Sequence, residues 1–299
     1  MKPEIRLIEC MENIVFSNDG KIMHHDHLGR IQTRHVATGD LIHEFSEKGG
    51  APRIGGMSPD GTLIYSTDYY GRHVRICDTE KQTETLGYET GSSAIDLAVS
   101  ADGKQLYIIA GEPGKNVLAV VDSATQSLVK KIPVSRLDIG IKLNPDNSLF
   151  YILTAANETE GVHVLNPQTD KLTLIPMPIT VRNSIVFDRS KRLAYISNWA
   201  RKSVTAVDTM NNGIRATYAV KGTPHEMALS ADGSFLYALN NHGSNLIDVY
   251  ETDTMRLVEQ LPVDRADLRV IAINDDDVIF VGYYDQAPPR QELKQPTPL

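Results

Sequence analysis

A four-residue polar turn returns along the whole chain at near-constant spacing, and no other feature limits the fold so tightly. It reads Ser17-Asn18-Asp19-Gly20, Ser58-Pro59-Asp60-Gly61, Ser100-Ala101-Asp102-Gly103, Asn144-Pro145-Asp146-Asn147 and Ser230-Ala231-Asp232-Gly233. Weaker copies stand at Phe187-Asp188-Arg189-Ser190 and Asn274-Asp275-Asp276-Asp277, and successive copies begin 41 to 44 residues apart. A period of that size made of short strands is the sequence signature of a propeller blade. Seven such units use the chain up to its tail. The prediction is an all-β protein, a single seven-bladed β-propeller over residues 1–286, followed by a Pro-rich C-terminal tail, 287–299, that is disordered or loosely draped.

Each repeat has the same internal order. A short apolar strand such as Met227-Ala228-Leu229 leads into the turn, and a second such as Phe235-Leu236-Tyr237-Ala238-Leu239 leaves it. A third alternates, as in Leu246-Ile247-Asp248-Val249-Tyr250, and a fourth closes the unit after a turn like Asp122-Ser123-Ala124-Thr125. Asp, Asn, Ser and Gly supply side-chain acceptors and left-handed backbone at such reversals. Four-stranded antiparallel blades repeated radially give the propeller. The seventh repeat runs out after two strands, and the segment Glu4 to Glu9 is left unassigned at the start. Pairing this N-terminal strand into the last blade would close the ring and cover an open sheet edge.

The elements Tyr195-Ile196-Ser197-Asn198 and Leu236-Tyr237-Ala238-Leu239-Asn240-Asn241, with Ser-Pro-Asp-Gly before and Val-Asp-x-x-Thr after, resemble the YVTN-type propeller family over nearly the full chain. The resemblance implies the architecture. Its members include surface-layer repeats, dehydrogenase subunits, lactonase-like enzymes and binding proteins, so it selects no activity.

Thirty basic against thirty-eight acidic residues give a formal charge of −8, which argues against a nucleic-acid-coating protein. Met1-Lys2-Pro3-Glu4-Ile5-Arg6 lacks the apolar core of a secretory signal, and no apolar run is long enough to span a bilayer. With Met1 as the native start, a cytoplasmic location is expected. Cys10 and Cys77 are expected as reduced, buried thiols.

Aligning the repeats collects residues far apart in sequence. Five places before the turn stand Glu12, Arg53, Ile95, Ile139, Arg182, His225 and Arg269; one place later stand Asn13, Ile54, Asp96, Gly140, Asn183, Glu226 and Val270. Arginines, a histidine and carboxylates thus converge where the inner strands begin, at the mouth of the channel. The loops between second and third strands add Tyr69, Tyr70, Arg72, Trp199, Arg201, His242, Tyr283 and Tyr284. Aromatic walls with a few convergent polar groups describe a small-molecule pocket. Arginine grips carboxylate or phosphate through a planar fork. The reading is an anionic ligand held by Arg53, Arg182 and Arg269, with Glu12, Asp96, Asn183, Tyr70, Trp199 and Tyr283 around it. The competing reading of the same arginines is ion pairing between blades.

For acid/base chemistry the candidates are His225, Glu226 and His242, because imidazole titrates near neutral pH; the competing and slightly favoured reading of His225 is a histidine that hydrogen-bonds backbone at a blade entry. Lyase, hydrolase (lactonase-like) or isomerase chemistry without a redox cofactor would need no more. The alternative is a non-catalytic scaffold that binds a protein partner through the aromatic rim. His24-His25-Asp26-His27 places His25 and His27 on one face of a strand. The run is read as rim polarity rather than a metal site, since neither cysteine nor zinc-type spacing accompanies it, although a divalent metal shared between blades is not removed by that argument. The phosphate-loop, dinucleotide and nucleophile-elbow motifs are all absent.

Overall fold

The computed structural model describes residues 3–10, 13–45, 52–68, 71–112, 115–134, 138–144, 148–154, 161–178, 184–240, 245–265 and 267–284. Blade 1 is built from Ile14–Phe16, Ile22–His27, Arg30–His35 and Leu41–Phe45. Blade 2 follows with Pro52–Met57, Leu63–Asp68, His73–Asp78 and Thr83–Glu89. Blade 3 uses Ala94–Val99, Gln105–Glu112, Lys115–Asp122 and Leu128–Val134. Blade 4 uses Asp138–Leu143, Phe150–Thr154, Gly161–Asn166 and Lys171–Pro176. Blade 5 runs through Ile185–Asp188, Leu193–Asn198, Ser203–Asp208 and Gly213–Ala219. Blade 6 runs through Pro224–Leu229, Phe235–Asn240, Leu246–Glu251 and Arg256–Pro262. These six sheets are antiparallel meanders in chain order. No helix among the described residues is long and apolar enough to cross a membrane.

The turn chemistry is local and explains why the repeat is visible in the sequence. The Ser17, Ser58, Ser100 and Ser230 hydroxyls donate to the aspartate two residues on, at 2.5 to 2.7 Å. The same oxygens accept the amides of Ile22, Leu63, Gln105 and Phe235. The glycine that follows has φ between 68 and 78°, a region costly for any other residue. Asp19, Asp60 and Asp102 are held below the ordinary carboxylate value of 3.8, chiefly by the serine hydroxyls, and Asp232 by the Ser234 amide first. Because the folded values are depressed, the stability these groups add is present above pH 3.8 and is lost as pH falls through the lowered values. Thermal midpoints are therefore expected to drop as pH falls from 3.8 into the lowered carboxylate range. The drop should be shallower in an Asp60→Ala/Asp232→Ala protein; an identical acid profile would show that the turns do not bind their carboxylates this way.

The ring closes where the sequence predicts, through the N-terminal strand, but with a different pairing. Ile5–Glu9 runs parallel to Ile279–Tyr283, with Ile5 opposite Ile279 and Glu9 opposite Tyr283. Blade 7 is thus Leu268–Ile273, Ile279–Tyr283 and Ile5–Glu9, three strands among the described residues where the other blades have four. The direction is forced. Glu9 must end at the face from which Ile14 sets out a few residues later, and Ile279–Tyr283 ends at that same face.

The core is not one mass but seven, each packed between successive blades. Ile31 and Phe45 of blade 1 meet Ile54, Ile64 and Cys77 of blade 2, and the series continues through blades 2–3, 3–4, 4–5, 5–6 and 6–7. The last cluster, Ile8, Cys10, Val270 and Phe280 against Ile14, Met23 and Val36, joins blade 7 to blade 1. The second strands of blades 2 to 6 each bury one tyrosine in these cores (Tyr65, Tyr107, Tyr151, Tyr195 and Tyr237). Cys10 and Cys77 are buried and outside any disulfide among the described residues.

Candidate functional site

The inner strands face the axis of the ring, and five of them break register near their start. The ladder skips a residue between Ile54 and Gly56, Ala94 and Asp96, Asp138 and Gly140, Pro224 and Glu226, and Leu268 and Val270. A bulge leaves its extra residue out of the ladder and re-aims the side chain. Four of the five skipped residues, Ile95, Ile139, His225 and Arg269, occupy the position that repeat alignment singled out.

Around this level the blades tie to one another through polar groups. The Asn13 amide donates to the Ile54 carbonyl at 2.6 Å, joining blades 1 and 2. Arg53 Nε lies 3.8 Å from Asp96 Oδ1, joining blades 2 and 3. Asp96 Oδ2 accepts the Ile141 amide at 3.0 Å, joining 3 and 4. The Ser184 hydroxyl donates to Glu226 at 3.1 Å and accepts the Met227 amide, joining 5 and 6. His225 completes the link to blade 7. Its Nε2 is 3.2 Å from the Arg269 carbonyl, a group the bulge frees from the ladder, and its Nδ1 is 3.3 Å from the Leu239 carbonyl. Carbonyls only accept, so both nitrogens face acceptors and the ring is pinned between two blades.

Arg269 differs from the other members of this belt. One terminal nitrogen donates to Asp267 at 2.8 Å, and the guanidinium lies 6.0 Å from the centre of the Tyr284 ring. Its Nε is buried without a hydrogen-bond partner among the described residues. Beside it, Arg265 stacks over Tyr283 at 5.2 Å. Trp199 sits half-buried on the rim turn of blade 5, its carbonyl accepting the Lys202 amide.

The structure thus brings Arg53 to Asp96, His225 to the Arg269 backbone and Glu226 to Ser184, while Tyr283 and Arg269 share the blade 7 mouth. Glu12, Tyr69, Tyr70, Arg182, Asn183 and His242, together with the tail 287–299, lie outside the described residues. Ser184 and Asp267 were missed by the alignment. Ser184 stands one place past the aligned pair, and Asp267 precedes its strand at a left-handed φ of 56°, where strand alternation gives no guide.

The histidine run needs correction. His24, His25 and Asp26 are buried, not rim polarity, because the second strand of blade 1 is covered on both faces by neighbouring blades. Asp26 accepts the Asn13 backbone N–H and contacts the Cys10 thiol, and His24 meets Thr33 at 2.9 Å. No cluster of three or more metal-ligating side chains occurs among the described residues.

One solved structure, hydrazine synthase from Kuenenia stuttgartiensis, superposes with a TM-score of 0.75 over 94% of this chain and 92% of that one, at 16% identity. The fold is a seven-bladed β-propeller. Likeness at that identity carries the fold and not the activity. No family model matches the propeller, and no curated protein does. The YVTN-type resemblance accordingly stays with the turn and tyrosine motifs that suggested it.

Proposed function

We propose that this is a small-molecule-binding propeller whose ligand is a small anion, taken at the channel mouth beside blades 6 and 7 against Arg269. The observation that carries the reading is the buried Arg269 Nε, a charged-group donor with no acceptor among the described residues. Such a donor is satisfied best by carboxylate or phosphate oxygen, which forms a short, charge-assisted bond. Tyr283 and Tyr284 supply the aromatic wall, and Arg53 adds a second guanidinium at the same level of the ring. Asp96 and Asp267 already balance the two arginines. The ligand therefore gains hydrogen bonds more than charge neutralisation, and its affinity should depend only weakly on salt.

Turnover of the anion by lyase, hydrolase or isomerase chemistry is the further expectation. His225 could serve as its acid or base only by releasing one of the two carbonyls that pin it. Glu226 would likewise have to leave Ser184.

Calorimetric titration of the full chain with mono-, di- and tricarboxylates and with phosphate esters tests the reading. One class should bind, and Arg269→Met should weaken it about tenfold or more, the size of one charge-assisted contact. Equal affinity in the variant, or no binding by any anion, overturns it. A protein partner lost on Trp199→Ala, with no anion bound, would put the scaffold reading in its place.

A further inference from the structure

The seventh blade stops one strand short among the described residues, and its outer strand borders a cavity. A cavity of about 440 Å³ lies between Ile5–Glu9 and the second and third strands of blade 1. Its lining is more polar than a simple packing gap would require. Glu4, Glu9, Arg6, Arg34, His25, His27 and Gln32 all border it, over apolar ground formed by Met23, Val36 and Phe280.

The donors of this lining are committed to the protein. Arg34 donates twice to Gln32 Oε1, at 2.7 and 3.1 Å, and once to the Gly39 carbonyl at 2.8 Å. Arg6 pairs with Glu4 at 2.7 Å and donates to the carbonyls of Val36 and Ala37. The Gln32 amide donates to Glu44. Two arginines against two glutamates leave the lining without net charge.

The acceptors are a different matter. His25 is 1% exposed, and its Nδ1 lies 3.1 Å from the Asp26 carbonyl. A carbonyl can only accept, so Nδ1 carries the hydrogen. Burial, the largest influence on the ring, lowers its pKa to about 4, which keeps it neutral at physiological pH. The remaining nitrogen, Nε2, is then a lone-pair acceptor, buried and without a partner among the described residues. His27, whose ring centre is 6.4 Å away, presents its Nδ1 to the Glu9 carbonyl at 3.1 Å. The Glu9 carboxylate adds two more acceptor oxygens.

A cavity of zero net charge, rich in acceptors and with an apolar floor, calls for a ligand that brings several donors, no charge and a hydrocarbon face. We propose that the cavity between blades 7 and 1 binds a neutral polyhydroxylated molecule, a monosaccharide-sized sugar or sugar alcohol, through a hydroxyl that donates to His25 Nε2. The volume suits it, since small-molecule sites begin at roughly 300 Å³. A charged amine would gain nothing from a lining whose net charge is zero, and an anion would face lone pairs.

The test is ligand-observed saturation-transfer NMR on the full chain with glucose, galactose, mannose, sorbitol and myo-inositol. At least one should bind, and His25→Phe should weaken it about tenfold, the size of one tightly held hydrogen bond. Arg269→Met should leave it unchanged. Because His25 is buried, its variant could unfold. The nitrogen-15 resonance of His25 Nε2 in the native protein is therefore followed during the titration as a second reading. It should begin at the position of an unprotonated ring nitrogen and move as the hydroxyl donates. A panel that does not bind at all, a His25→Phe protein that binds as well as the native one, or an Nε2 signal that stays still while sugar binds would each overturn the proposal.

Discussion

Asp96→Ala is expected to lower stability by about 3 kcal/mol, among the largest single losses the propeller can suffer. The carboxylate is 1% exposed and serves two neighbours at once. Its Oδ2 accepts the Ile141 amide of blade 4, and its Oδ1 stands against Arg53 of blade 2. Truncation leaves a buried amide without an acceptor, because Ile141 is itself fully buried. It also removes the carboxylate facing Arg53. That second part is discounted, since the Arg53 side chain is 35% exposed and water screens it. Asp96→Asn should cost less, as its amide oxygen can still accept from Ile141. Urea unfolding measures the difference. Hydrogen exchange should locate it, with the Ile141 amide exchanging faster in Asp96→Ala than in the native chain. Coincident unfolding curves for native and Ala proteins would mean that the inner belt is decoration and that the sheets hold one another by apolar packing alone.

The belt also shows which parts of this molecule its sequence reveals. The Ser-x-Asp-Gly turns are legible because every bond in them lies within six residues, so the motif and its geometry are the same object. Alignment on those turns reaches the bulged residues His225 and Arg269, although His225 makes one of its contacts with the next blade, because radial repetition keeps the same place in every blade at the same height. Charge balance is not legible in this way. Arg53 finds its carboxylate 43 positions on, in the next blade, whereas Arg269 finds one two positions back, at a left-handed residue outside the strand pattern. The alignment groups the two arginines together, and only the folded structure separates one held across blades from one held at home. Burial is hidden for a similar reason. A polar run such as His24 to His27 looks like surface, since alternation within one strand says nothing about the sheets that lie on either side of it. The N-terminal strand is the intermediate case. Its destination follows from the missing strands of the seventh repeat, but its parallel course depends on where Ile14 starts, which pattern alone does not give.

Gly55→Ala should cost about 1–3 kcal/mol, and larger residues more, because the space for a side chain is taken by backbone as well as by a side chain. Gly55 is the bulged residue of the blade 2 inner strand. A Cβ placed there falls 2.3 Å from Leu97 Cγ, 2.5 Å from Leu97 Cδ1 and 2.6 Å from the Leu97 carbonyl oxygen of blade 3. The leucine side chain could turn away; its carbonyl oxygen cannot, short of moving the inner strand of blade 3. Any such movement also stretches the Arg53–Asp96 pair, so the steric cost and the electrostatic one rise together. Gly56, the next residue, is the internal control. Its Cβ would meet Val99 Cγ2 at 3.1 Å and the Val99 amide only at 3.8 Å, a contact that a small shift of one methyl relieves. Gly56→Ala should therefore be mild. Leu97→Ala removes two of the three close atoms and leaves the carbonyl. In a double-mutant cycle the Gly55→Ala penalty should shrink without vanishing, giving a coupling of about 1 kcal/mol. A Gly55→Ala protein as stable as the native one would place blades 2 and 3 further apart than this packing, and a salt link of 3.8 Å between Arg53 and Asp96 could not survive that distance.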